Sequence, residues 1–260
     1  MGKDFEKELI SIKDVYVNAI DADVTTISKF LSKFRNKFIL LVGSGGSFSV
    51  ASAVEFMCIK AGFFAKSVTP LELASYNKQI CNSAVILFTA SGRNSDSINS
   101  YKYLSEAEPE GLLTVCMSTN SPISKIQKNN SHNFFFGYKM PVKKDGYLAV
   151  ESLISSVVLM SKAFFEVTQN SFFTLDDNYV YEKQEIANIS EIVNRESIIV
   201  LYGNHSKPLV IDLESKFGEA ALGNIQTVDF RNFAHGRHFW LSKKGDSTSI
   251  IAFIDNSQEK

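Results

Sequence analysis

At 260 residues, 45% apolar and 21% charged, the chain has the make-up of an ordinary globular protein with room for one large or two small domains. A net charge of −1, with no basic run longer than Lys143-Lys144, leaves no footprint for nucleic acid. Apolar runs such as 39–42 and 84–88 are strand-sized, and the opening MGKDFEKELI carries neither a signal-peptide stretch nor an acylation signal, so no membrane span and a cytoplasmic location are expected.

Two amphipathic helices are predicted over 4–20 and 22–35, the first capped by Asp4 with Leu9, Ile10, Ile12, Val15 and Ile20 on one face. The run 37–42 that follows is continuously apolar from Phe38 on and ends at Gly43, the pattern of a strand covered on both faces in a parallel sheet. The alternation then repeats: a helix over 48–61, a strand over 63–68, and a short helix opened by Pro70. Further strands are expected at 84–88, 112–116 and 133–136, separated by helices at 95–106 and 122–128 and closed by a long helix at 147–168. Five strands alternating with helices predict an α/β fold with a doubly wound parallel sheet and helices on both faces.

Residues 1–170 thus read as a first domain and the polar stretch 171–196 as a helical connector. The span 197–260 begins as the first domain did, with a strand at 197–202 ending at Gly203 and a helix at 208–222. It then offers only strands at 226–229 and 249–253. A shorter, incomplete-looking α/β lobe follows from this, and the front part of a longer protein is the favoured explanation over a degenerate partner domain. Cys58, Cys81 and Cys116 are odd in number and widely spaced, which fits small buried apolar groups in a reducing compartment and neither a disulfide framework nor a metal pattern.

Two turns carry chemistry. Gly43-Ser44-Gly45-Gly46-Ser47 joins the first strand to its helix, where glycines let backbone approach a ligand and free helix amides attract an anion. A dinucleotide fingerprint is discouraged, because Phe48 stands at the third glycine position and no acidic residue ends the second strand. A P-loop lacks its Gly-Lys-Ser/Thr. The third strand ends in Thr89-Ala-Ser91-Gly-Arg-Asn94-Ser95, rich in hydroxyls and feeding another helix. Each turn alone is equally a capped tight turn. Together, at neighbouring strand ends, they suggest a phosphate cradled without a strong cation.

These segments resemble the SIS (sugar isomerase) family over about residues 30–168. The turn Gly43–Ser47 is similar to its first loop, Thr89-Ala-Ser-Gly-Arg-Asn to its S-x-S-G-x-T/S phosphate loop, and Leu71-Glu-Leu-Ala-Ser75 to a segment between them. Thr89 replaces the first serine, and Asn94 with Ser95 replaces the last hydroxyl. The resemblance implies a flavodoxin-like fold in which Gly43, Ser44, Gly45, Ser47, Thr89, Ser91, Asn94 and Ser95 bind a sugar phosphate.

In the second half, Glu214-Ser-Lys-Phe-Gly-Glu219 and Phe233-Ala-His-Gly236 resemble the isomerase domain of glucosamine-6-phosphate synthase. That likeness implies Glu219 as the base that moves a proton between C1 and C2, and His235 as the group that opens the sugar ring. Arg237 replaces the family's proline, and Asn232 stands where an acidic residue is usual. The roles make chemical sense, since aldose–ketose exchange needs a carboxylate beside C1 and C2 and an imidazole near neutrality at the ring oxygen. His132 and His205 read as structural or incidental, and His238 as a support for His235 or a solvent-facing group. The expected protein is a phosphosugar isomerase acting through an enediol. The alternative is a non-catalytic module that senses a sugar phosphate. It works without cofactor or metal, as a homodimer or larger, with no nucleic-acid or membrane partner.

Overall fold

The computed structural model describes residues 4–127, 131–141, 145–174 and 195–254. The chain divides into two compact units, Met1–Tyr179 and Val180–Lys260. The predicted connector 171–196 lies largely outside the described residues.

The first unit opens with α1 (Phe5–Ile10), α2 (Ile12–Asp21) and α3 (Thr25–Lys33). The single helix expected over 4–20 is therefore two. Its ladder is interrupted at Ser11, whose Oγ bonds the carbonyl of Glu8 at 2.9 Å and also the Glu151 carboxylate. Asp4 sits at the start of α1 but makes no side-chain cap; its carbonyl accepts from the amides of Lys7 and Glu8 instead. The break also changes which side is covered: Ile10 is 62% exposed, while Val15 and Ala19 are fully buried.

Then come β1 (Phe38–Val42), α4 (Gly46–Lys60), β2 (Phe64–Val68), the short helices α5 (Pro70–Leu73) and α6 (Asn77–Ile80), and β3 (Ala84–Thr89). They are followed by α7 (Ser95–Ala107), β4 (Gly111–Cys116), α8 (Pro122–Ile126), β5 (Asn133–Gly137) and α9 (Glu151–Thr168). The five strands form one parallel sheet in the order β2-β1-β3-β4-β5. This is the doubly wound order expected, with its switch point between β1 and β3.

Strand alternation sends successive side chains to opposite faces, so an uninterrupted apolar run feeds two cores. Ile39, Leu41, Ile86 and Phe88 pack with α2, α3, α4 and α9, around Phe30, Val54 and Phe164. Leu40, Val42, Val85 and Leu87 pack on the other face with Leu73, Tyr101 and Leu104. Burying each such side chain contributes about 1.5–3 kcal/mol, so the double-sided sheet is what holds the switch point rigid.

The second unit contains β6 (Ser197–Tyr202), a helix Lys207–Glu219, β7 (Asn224–Asp229), a short helix Phe230–Ala234 and β8 (Thr248–Phe253). Its three strands are parallel in the order β7-β6-β8. That repeats the winding of β2-β1-β3 on a smaller core around Ile198, Val200 and Val210.

Of the three cysteines, Cys58 and Cys116 are buried as expected, and burial pushes both thiols up. Cys81 is exposed, because it follows α6 in a polar turn with Asn82 rather than facing the core.

Candidate functional site

At the carboxyl ends of β1 and β3, the paired neighbours of the switch point, lies a cavity of about 220 Å³. Both loops singled out in the sequence border it: Ser44, Gly46 and Ser47 from the first, Thr89, Ser91 and Asn94 from the second. The two bends therefore converge.

The first loop is shaped by backbone. Gly43 donates its N–H to the carbonyl of Val68 at 3.3 Å, so the turn is tied to β2. A Cβ on Gly43 would lie 2.3 Å from the Ser47 carbonyl oxygen, which only glycine avoids. Gly45 then begins α4 with φ +54°. Gly43 and Gly45 thus shape the loop without lining the cavity, whereas Gly46, absent from the sequence-derived set, does line it. As the first residue of a 15-residue helix, Gly46 directs an amide without an intrahelical acceptor toward the cavity end of α4.

The second loop is held by its own side chains. Buried Thr89 Oγ1 accepts from the Gly92 amide at 3.1 Å and from Ser97 Oγ at 3.1 Å. Both acceptor positions are then filled, leaving the Thr89 proton to donate. Asn94 caps α7 by accepting from the Asp96 amide at 2.8 Å, which leaves its NH2 group as donor. Ser91 Oγ accepts from the Arg93 amide at 3.3 Å. Ser95 opens α7 but is not on the cavity wall. Gly92, with φ +64° and room for no Cβ against Ser121, lets the loop fold down on β4.

The third wall is α9, through Ser152, Leu153 and Ser156, with Ala149 just before it. Nothing in the sequence separated these serines from core packing on an apolar helix. Their one signal was the density of serines, at 152, 155, 156 and 161, along an otherwise apolar face.

Among the described residues, no charged side chain lines the cavity. The wall offers seven hydroxyls, one amide side chain and the amino ends of α4 and α7. The start of α9 is already neutralised: Glu8 accepts from the amides of Val150, at 3.0 Å, and Gly146, and Asp145 accepts from the Ser152 amide at 3.0 Å. Glu8, Asp145 and Glu151 bring carboxylate oxygens within 4.8 Å of one another, close enough to hold a cation, but Glu8 and Asp145 are already engaged as caps and Glu151 accepts from Ser11 Oγ. Helix amides and hydroxyls without a fixed cation suit a tetrahedral oxyanion that binds and leaves.

Glu219 and His235 belong to the second unit, and both are exposed. Glu219 ends its helix and accepts from Ser215 Oγ at 3.1 Å. That helix runs back from the carboxyl end of β6 to the start of β7, so Glu219 lies at the amino edge of the sheet. His235 follows the short helix after β7, beyond the carboxyl edge. A six-residue strand of roughly 20 Å separates the two edges. Within one copy of this unit the pair does not converge.

No protein-family model matches the chain, and no curated protein matches its sequence. Solved structures do match its fold. The C-terminal domain of glucosamine-fructose-6-phosphate aminotransferase from Francisella tularensis superposes with a TM-score of 0.70 at 15% identity, covering 97% of this chain and 75% of that one. Tagatose-6-phosphate ketose/aldose isomerase from Escherichia coli gives 0.68 at 15% identity, over 96% and 72%. A protein of Silicibacter pomeroyi DSS-3 designated a candidate phosphosugar isomerase gives 0.71 at 12% identity, over 96% and 77%. The chain is similar to phosphosugar isomerases over nearly its whole length, and its fold is the SIS-like α/β arrangement. Among the described residues, no helix is long and apolar enough to cross a membrane.

Proposed function

We propose that the protein binds a phosphorylated sugar, with the phosphate in the β1/β3 cavity, and interconverts its aldose and ketose forms. The observation that carries this reading is the convergence of two hydroxyl-rich loops and two helix amino ends on one uncharged cavity. Thr89, Ser91, Asn94 and Ser47 hold the phosphate by donated hydrogen bonds, and Gly43, Gly45 and Ser95 set the loops that present Ser44 and the helix amides. Anchoring the phosphate fixes the far end of the sugar, so that C1 and C2 are held still for proton transfer.

Glu219 is the enediol base: its carboxylate removes the C2 proton of the aldose and returns it to C1, while the carbonyl shifts from C1 to C2 through the enediol. His235 transfers the proton at the ring oxygen that opens the cyclic form. Lying at opposite edges of one sheet, the two act on a single sugar only when different copies of the chain supply them. The active form is accordingly a homodimer or larger, in the cytoplasm.

The test is Glu219→Gln. It should lower turnover of the responsive hexose, pentose or heptose phosphate by about 10²–10⁴-fold and leave its binding unchanged. NMR exchange of the C2 proton with solvent separates the two. The separation of Glu219 from His235 favours one rival, a non-catalytic sugar-phosphate sensor. That reading prevails if a bound ligand shows no C2 exchange in the wild-type protein.

A further inference from the structure

Helix α1 is fastened to its unit by a charge rather than by an apolar face. Its one buried residue is Glu8, while Phe5 and Ile10 are exposed. A carboxylate is tolerated in the interior when both oxygens are hydrogen-bonded, and here each has its own amide: Oε1 accepts from Gly146 and Oε2 from Val150 at 3.0 Å. Ser11, at the end of α1, adds a hydroxyl bond to Glu151. On the other side of the contact, α9 begins without a cap of its own, since Val150 at its N-cap position has no side-chain acceptor. Asp145 accepts from the Ser152 amide and Glu8 spans Gly146 to Val150. The stretch that carries Ala149 and Ser152 to the cavity wall therefore takes its shape from a side chain near the other end of the unit.

We infer that Glu8 is a positioning residue for the bound sugar: docked α1 holds residues 146–152 against the cavity, and a filled cavity in turn holds α1 in place. The inference rests on the phosphate reading above and adds to it which end of the ligand meets which wall. The amino ends of α4 and α7 are open to an anion, whereas Glu8 and Asp145 neutralise that of α9. The phosphate thus belongs on the α4 and α7 side, and the sugar lies toward Ala149 and Ser152. Glu8 acts on the sugar end alone, through the backbone it fixes. The same bonds are what anchor α1, which buries no apolar side chain of its own. Coupling of this kind is reciprocal, so whatever the docked helix gives to sugar binding, the sugar returns to the helix.

Two probes titrated into the full chain, glucose 6-phosphate and inorganic phosphate, separate the two ends of the ligand. Glu8→Ala should weaken glucose 6-phosphate about tenfold and leave inorganic phosphate within about twofold. Glu8→Gln, which keeps one acceptor oxygen, should fall between the wild type and Glu8→Ala. Val15→Ala removes buried apolar volume from α2 without touching these bonds, so it should lower stability and change neither affinity. Should Glu8→Ala fail to fold, hydrogen exchange on the wild-type protein decides: glucose 6-phosphate should slow exchange at residues 5–11 and 146–152, and inorganic phosphate should not. Equal weakening of both probes, weakening of neither, or exchange at α1 unmoved by glucose 6-phosphate overturns the positioning role while the phosphate site stands. A wild-type protein that does not bind glucose 6-phosphate refutes the phosphate reading and this inference with it.

Discussion

The chain contains the same strand–turn–helix twice, and only one copy is fitted to hold an anion. β1 and β6 are each the central strand of the β2-β1-β3 winding, and each ends at a glycine. After β1 the turn leaves α4 directed at a cavity. After β6, Ser206 closes the crevice: its Oγ accepts from the Gly203 amide at 3.2 Å and lies 3.3 Å from the Gly203 carbonyl and 3.4 Å from that of Phe253, at the end of β8. The helix that follows also opens with Lys207-Pro208, and proline removes one of the amides an anion would use. A strand ending at glycine is therefore not a binding site by itself. What matters is whether the crevice beside it is left open and lined by donors.

The largest way to break this contrast is Gly43→Ala. With a Cβ 2.3 Å from the Ser47 carbonyl, the first turn must open, and we expect a loss of about 3 kcal/mol in urea unfolding together with loss of sugar-phosphate binding. Gly92→Ala imposes a left-handed φ on alanine and a 2.8 Å contact with Ser121 Cβ. It should cost about 2 kcal/mol and weaken the ligand through the displaced Ser91 loop. Ser91→Ala leaves the fold intact and should weaken a phosphate ligand about tenfold by calorimetry, since a hydrogen bond to a charged group is worth about 1.5–3 kcal/mol. Ser206→Ala, its counterpart in the closed crevice, should destabilise by about 1 kcal/mol and leave ligand affinity unchanged.

A smaller effect sharpens the same comparison through pH. Asp229, at the end of β7, accepts from the amides of Asn232 and Arg231, and these bonds, with the Asn232 side chain, hold its carboxyl below the usual range. Its folded pKa is depressed, so the stabilisation is complete above the ordinary carboxylate pKa and is lost as pH falls through and below that range. Asp229→Ala should remove about 1 kcal/mol at neutral pH and flatten the acid dependence of unfolding.

Much of this was written in the sequence in a direct physical form. The runs 38–42 and 84–88 are apolar without interruption because both faces of a parallel strand are covered, and that fixes their place in the sheet. The two loops were legible only as a pair: each alone is also a capped tight turn, and their place at neighbouring strand ends is what pointed to an anion. The helix break at Ser11 was not, since it depends on Glu151, 140 residues away. Nor was the third wall of the cavity: Ser152 and Ser156 on α9 look like packing residues until the helix is laid across the switch point. The Glu219 and His235 spacing along the chain likewise concealed that a strand separates them to opposite edges.

The most direct test follows backbone amide shifts by ¹⁵N NMR as glucose 6-phosphate is added. The largest changes should fall on Gly46, Ser47, Ser91 and Asn94, with Asn204 and Ser206 unmoved. Changes centred on the β6 turn, or absent from both the α4 and α7 amino ends while the sugar phosphate is bound, would contradict an anion at the β1/β3 crevice.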